Sequence, residues 1–175
     1  MESLDRLFRL YHLPLVRYLT RRLGDRDWAE EIAQETFLRA ARQETLTSER
    51  SWLFAVATNL VRDEARKQAR QRRHLELLAE EARDAVSEAI DTTYVATEER
   101  ARERALARQA IEQLSERDAQ ALLMREEGLD YDEIATALKL ERTSVGTTLS
   151  RARRRLAEAY DAARSARDAR EQAHG

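Results

Sequence analysis

The stretch from Leu129 to Leu156 limits this chain's folding choices more than any other. It holds two short runs of helical periodicity separated by three residues. Asp130 stands where a helix would begin, and Glu133 follows three residues on, the spacing of a reciprocal capping box. Ile134, Ala135 and Leu138 then share a face. Lys139, Leu140 and Glu141 make the break, with Leu140 expected to point inward as a wedge. In the second run Val145, Leu149, Ala152 and Leu156 recur at helical spacing as one apolar stripe. Thr147, Ser150, Arg151 and Arg154 lie opposite. Small hydroxyl side chains let a helix approach a major groove closely, and arginines reach phosphates or guanine edges. This is a helix-turn-helix pattern. An ordinary helical hairpin with a solvated basic face has the same periodicity, and both readings stay open on this stretch alone.

The rest of the chain asks for helices too. One proline and four glycines in 175 residues leave few breakers, and Ala, Leu, Arg and Glu are abundant. An all-α fold of two small helical domains follows. Leu4, Leu7, Phe8 and Tyr11 form the first stripe. Pro14 is expected to interrupt it and start a second helix, carried on by Leu15, Leu19 and Leu23 and closed by Gly24. Asp25 or Asp27 can cap the next helix, from Trp28 to Arg42. Its inner face is Ala29, Ile32, Ala33, Phe37 and Ala40. Its outer face is Glu31, Gln34, Glu35, Leu38 and Arg42. Leu38 inside a polar stripe suits an apolar anchor in a protein interface, although exposed helices commonly carry such glutamates and arginines.

After a polar loop, Ser51 is expected to cap a helix with Leu53, Val56, Ala57 and Leu60 inward and Trp52 in its first turn. Asn59, Arg62, Asp63, Arg66, Lys67 and Arg70 share another face. Basic groups that follow phosphates, beside an amide and an aromatic that hold an unstacked base, fit single-stranded DNA. A buried Trp beside a solvated basic stripe would look alike. From residue 75 to 99 acids accumulate and periodicity fades, as in an inter-domain linker. Periodicity resumes with Leu106, Ala110, Ile111 and Leu114. Ser115 caps a further helix, with Asp118 as its third-position acid, and Gly128 ends it.

Net charge is only -2, but its distribution is uneven: Arg62–Arg73 and Arg151–Arg155 are basic, the linker acidic. With no cysteine there is no disulfide framework or thiolate metal site, and His12, His74 and His174 make no metal-ligand spacing. No metal or cofactor is expected. Neither a signal segment nor a membrane-crossing run is visible, so a cytoplasmic protein is expected.

Both halves together resemble an extracytoplasmic-function sigma factor, a small promoter-specificity subunit of bacterial RNA polymerase. The resemblance is carried by Ala29–Ala40, by Ser51–Lys67, and by Tyr131–Ala135 with Leu149–Leu156. It implies sigma region 2 over 1–74, a linker over 75–99, region 4 over 100–160 and a C-terminal tail over 161–175. Glu31, Gln34, Glu35 and Leu38 would meet core polymerase. Trp52, Asn59, Arg62, Arg66 and Lys67 would take the promoter -10 element, with Asn59 and the loop before Trp52 holding a flipped base. Thr147, Ser150 and Arg151 would approach -35 bases, and Arg142, Thr143, Arg153 and Arg155 its backbone. Implied partners are core RNA polymerase through its clamp and flap regions, promoter DNA and an anti-sigma factor. The implied role is a specificity subunit without a catalytic site. The sequence departs from the family's habit at Lys139, where glycine is frequent, at Thr143-Ser144, where Gly-Thr is usual, and at Gly146 and Thr148, where basic or polar residues are common.

A dimeric helix-turn-helix regulator of duplex DNA would share much of this pattern without needing polymerase. A helical adaptor with merely solvated basic faces would show no salt-dependent DNA binding. An enzyme is disfavoured by the lack of a phosphate-binding glycine loop or an activated nucleophile.

Overall fold

Buried side chains divide the helices into two groups that lean on each other. The computed structural model describes residues 2–43, 45–78 and 98–173. Over these the order is α1 (Glu2–Leu23), α2 (Arg26–Ala40), α3 (Glu49–Leu78), α4 (Glu98–Glu112), α5 (Glu116–Glu126), α6 (Tyr131–Leu138) and α7 (Arg142–Ala173). Every element among the described residues is helical. None is long and apolar enough to cross a membrane. Most of the stretch read as a linker lies outside the described residues, but its ends are helical: α3 runs on to Leu78 and α4 starts at Glu98.

The first group is α1, α2 and α3. Leu15, Leu19, Tyr18, Leu53 and Phe54 are fully buried at its centre, and Tyr18 and Phe54 pack as tilted rings. The inner face expected of α2 is the one observed, with Ala29, Ile32, Ala33, Phe37 and Ala40 all buried. Gly24 ends α1 at φ 74°, a conformation open to glycine, and its N–H donates to the Thr20 carbonyl. Asp25 then caps α2, accepting from the Trp28 N–H at 3.0 Å.

Two expectations fail here. Pro14 does not break the chain: α1 is continuous from Glu2 to Leu23 with Pro14 inside it. Proline removes one hydrogen bond to the preceding turn. Leu7 before it and Leu15, Val16, Tyr18 and Leu19 after it are all buried, and that shared apolar face holds the helix together. Nor does Ser51 cap α3. The helix starts at Glu49, and the carbonyl of Ser48 accepts from the Trp52 N–H. Ser51 is buried, and its hydroxyl has no partner among the described residues.

The second group is α4 to α7. Ser115 caps α5 through the Asp118 N–H. Gly128, at φ 85°, ends it with paired closing bonds from Gly128 to Arg125 and from Leu129 to Met124. The capping box is present as read: the Glu133 N–H donates to Asp130, and the Asp130 N–H donates to the Glu133 carboxylate, each at 2.8 Å. α6 closes in the same way as α5, with Leu140 bonded to Ala135 and Lys139 to Thr136. Here the left-handed residue is Lys139, at φ 54°. Leu140 is half-buried. α7 packs on α4, α5 and α6, and it continues through the stretch read as a tail.

The two groups meet along α1 with α5 and α3 with α6. Their apolar interiors join: Met124, Leu129, Ile134, Val145 and Leu149 belong to the same buried cluster as Leu15 and Phe54. Among the described residues, Leu114, Leu122 and Ala152 form a separate small cluster.

Candidate nucleic-acid interface

Three surfaces gather the residues singled out in the sequence. The first is the outer face of α2. Glu31, Gln34 and Leu38 are exposed, Leu38 by 57%, while their neighbours Ile32, Ala33 and Phe37 are buried. Glu35 accepts from Arg39 at 2.8 Å one turn on. An exposed leucine beside acids and an amide is a combination common at protein interfaces, and a hollow of about 470 Å³ lined by Trp28, Glu31, Glu35, Leu60 and Glu64 opens beside it.

The second surface runs along α3. Trp52 is half-buried against the core, so the ring is supported and only part of it meets solvent. Asn59 is exposed two turns further along, with Thr58 behind it buried and bonded to the Tyr18 hydroxyl at 2.8 Å. Burial pushes the Tyr18 hydroxyl up from its ordinary pKa, against the neighbouring Arg22 charge and the Thr58 hydrogen bond, which pull it down. The Thr58 bond ties the turn that carries Asn59 to α1. Arg62 is half-buried, and Arg66 and Lys67 are exposed. Lys67 stands 3.9 Å from Glu64 on its own helix.

The third surface is the outer side of α7. Val145, Leu149 and Ala152 are fully buried, as the periodicity demands. Thr143, Thr147, Ser150 and Arg153 are exposed. Arg142 is exposed and paired with Asp132 at 2.6 Å. Thr148, one of the departures from the family pattern, is buried. The Gly146 Cα faces the Tyr131 ring, where an added Cβ would lie 3.6 Å away, an ordinary contact.

Arg151 and Arg155 do not stand free beside these groups. Both converge on Asp118 of α5, a carboxylate with no solvent exposure. Arg151 donates through Nε and Nη2, the latter at 2.5 Å, and Arg155 through Nη1 at 3.4 Å. The Arg151 hydrogen bond, helped by Ser115 and the charge of Arg155, holds the Asp118 carboxyl below its usual range against burial, which pushes it up. Asp118 was read as a capping acid; its actual work is to fix the roll of α7 against α5. No local pattern announces this, because the partners are 33 and 37 residues apart.

Ion pairs also tie the second surface to the other half. Glu127, at the end of α5, has its side chain 1% exposed and accepts from Arg17 at 2.7 Å and Arg21 at 3.1 Å. Arg50, at the start of α3, forks onto the carboxylate of Glu133. Arg22 donates to Glu116 at 2.8 Å, and the same carboxylate lies 3.7 Å from Arg62. A cleft of about 600 Å³ opens between the halves, with Asn59 and Arg62 on one wall and Arg117, Lys139 and Arg151 on the other. The amide and arginine read as strand-binding thus line a solvent-open cleft shared with α5 and α6.

Comparison with known proteins places these surfaces in context. The family model for Sigma-70 region 2 matches residues 7–71, and that for Sigma-70, region 4 matches residues 104–156. The chain is 30% identical to RNA polymerase sigma factor YlaC of Bacillus subtilis over 161 residues, 87% of this chain and 88% of that protein. It is 44% identical to ECF RNA polymerase sigma factor SigL of Mycobacterium tuberculosis over 57 residues, 30% of this chain and 32% of that one. Among solved structures it resembles the sigma factor RpoE in complex with the anti-sigma factor NepR from Bartonella quintana. The TM-score is 0.68 at 20% identity, covering 92% of this chain and 98% of that chain, a likeness of fold.

Proposed function

Since this chain belongs to the extracytoplasmic-function sigma factors of bacterial RNA polymerase, alternative sigma factors that recognise promoters for transcription initiation, we propose how its surfaces divide that work. The outer face of α2, with Glu31, Gln34, Glu35 and Leu38, docks on core polymerase. Along α3, Asn59 and the loop before Trp52 hold an unpaired -10 base while Arg62, Arg66 and Lys67 follow phosphates. On α7, Thr147 and Ser150 approach -35 bases, and Arg142, Thr143 and Arg153 take the backbone. Arg151 and Arg155, engaged by Asp118, orient that helix and lend it positive charge. The domain limits follow the same division, 1–74 for region 2 and 100–160 for region 4. No bond is made or broken by these groups. The chain acts as a specificity subunit, and its work is differential binding.

One observation carries this reading: two helix faces bearing Asn, Thr, Ser and Arg lie outside the core, on separate halves, each backed by buried apolar neighbours. Region 4 would set register on duplex DNA. Region 2 would then favour the opened strand. Unstacking costs roughly 1.4 kcal/mol per step, and a captured base returns about 1–3 kcal/mol. Polymerase contacts must supply the rest of the melting. Elements named for positions 35 and 10 lie about 25 base pairs apart, on the order of 85 Å of duplex, whereas the longest described helix, the 32 residues of α7, extends only about 48 Å. Engaging both therefore requires the halves to separate from the packing seen here. An anti-sigma factor holds RpoE in the solved complex, and control by such a partner is proposed here too.

The test is Asn59→Ala. Permanganate footprinting of the open complex should weaken by about tenfold, a loss on the order of 1–3 kcal/mol, while duplex binding stays within about twofold. Equal losses in both assays would end the base-capture assignment.

A further inference from the structure

Lys139 closes α6 in a conformation that strains a lysine and leaves a glycine relaxed. Its φ is 54°, and the other described residues at positive φ are the glycines 24 and 128. A strained residue of this kind points to work done by its side chain. Lys139 lines the cleft of about 600 Å³ described above, and its ammonium enters no ion pair among the described residues. Arg117 lines the same wall and is likewise unpaired among the described residues. Arg62 stands on the α3 wall, 3.7 Å from a Glu116 carboxylate that already accepts from Arg22 at 2.8 Å and from Gln120 at 2.9 Å. Arg151 is engaged by Asp118. Ser115 brings the N-terminus of α5 to the cleft, and the positive end of that helix adds to the same field.

The remaining lining has a different chemistry. Ala137 and Leu138 of α6 present an apolar patch, and the exposed Asn59 amide offers a donor and an acceptor side by side. An apolar surface for a ring face and an amide for a ring edge are what a base requires. We propose that this cleft binds a free nucleoside polyphosphate, its phosphates among Lys139, Arg117 and Arg62 and its base against Leu138 and Asn59. The space suits such a ligand, since small-molecule sites run from about 300 to 1,000 Å³. Inorganic polyphosphate would satisfy the cations and leave the amide and the leucine idle. Lys139 and Arg117 have no part in the promoter role proposed above, so the two readings can fail separately.

The probe is ATP carrying a fluorescent group on its ribose, titrated into the full chain and followed by anisotropy. Lys139→Gly and Arg117→Gln should each bind it about fivefold more weakly, and the double variant at least tenfold more weakly. Lys139→Gly relaxes the backbone, so its urea midpoint should be no lower than that of the wild-type chain. A variant that folds as well and binds less has lost the ammonium and nothing else. Lys139→Arg should stay within about twofold of wild type. Unlabelled ATP should displace the probe at least tenfold better than tripolyphosphate does. Asn59→Ala should weaken ATP about fivefold and leave tripolyphosphate within about twofold.

Four results would overturn the proposal. Absence of saturable binding below about 1 mM nucleotide would leave the cleft without this ligand. Tripolyphosphate competing as well as ATP would reduce it to a patch for anions. Unchanged binding by the double variant would put the nucleotide elsewhere on the chain. A single-stranded -10 oligonucleotide that lost as much affinity as ATP in Lys139→Gly would assign these cations to the promoter strand instead.

Discussion

The first three helices and the last four bury polar groups in opposite ways. In the first bundle the central polar contact is a bond between two uncharged groups: the Tyr18 hydroxyl and Thr58 share a hydrogen bond at 2.8 Å among Leu15, Leu19, Leu53 and Phe54, with the Arg22 guanidinium beside them. In the second, the central contact is ionised: Asp118 lies fully buried under Arg151 and Arg155. The junction between them is ionised too, with Glu127, Glu133 and Glu116 all held by arginines of the first bundle. Neutral buried bonds respond little to salt or pH, whereas charge pairs with a partly exposed member respond to both. The half that, on the proposed function, moves to meet a promoter is thus held by contacts that solution conditions and competing charges can release. The half that would face polymerase is held by contacts they cannot.

The sharpest way to break this contrast is Asp118→Ala. It strands two arginines, and since both are more than a third exposed the loss should be discounted to about 2 kcal/mol. Urea unfolding would measure it; a loss near zero would mean the buried charge is incidental. The pH sign follows from the depressed carboxyl. Its stabilisation is complete above the ordinary carboxylate pKa of about 3.9 and disappears as pH falls through the lower folded value. Asp118→Asn should flatten that acid limb. Next comes Glu127→Gln, which should cost the junction about 1 kcal/mol given that Arg17 and Arg21 are each 48% exposed. Fluorophores on α2 and α7 should move apart, and high salt should reproduce the effect in the wild-type chain. Tyr18→Phe, at about 1 kcal/mol, should instead be indifferent to salt. If it proved as salt-sensitive as Glu127→Gln, the two halves would not differ in kind. The smallest effect is at Lys139, left-handed where Gly24 and Gly128 fill the corresponding sites of other helices. Lys139→Gly should stabilise by about 0.5 kcal/mol, read as a small rise in Tm with the fold unchanged.

What was legible in the sequence was local. The caps at Asp25, Ser115 and Asp130, the glycine ends at 24 and 128, and the inner face of α2 each depend on residues within one or two turns. The failures are those where distant packing decided. Pro14 reads as a break, but the apolar face on both sides of it holds α1 straight through. Ser51 reads as a cap, yet Ser48 takes that position and Ser51 turns into the core. Arg151 and Arg155 share a helix with Thr147 and Ser150, and spacing alone cannot reveal a carboxylate in α5 that draws them aside. The junction was invisible for the same reason: Arg17 and Glu127 lie 110 residues apart, and neither carries a signal of the other.

Glu133 belongs to both kinds of contact at once. Its carboxylate closes the first turn of α6 by accepting from Asp130, and it also carries the fork of Arg50, which stands at the entrance to α3. A helix start and a neighbouring module share one joint, so neither can shift without the other registering it. A phosphate that drew Arg50 away would leave the α6 capping bonds in place but remove this tie between α3 and α6. On the proposed function, the duplex-reading module would thus be loosened, through a single side chain, once the strand-reading side had found its target.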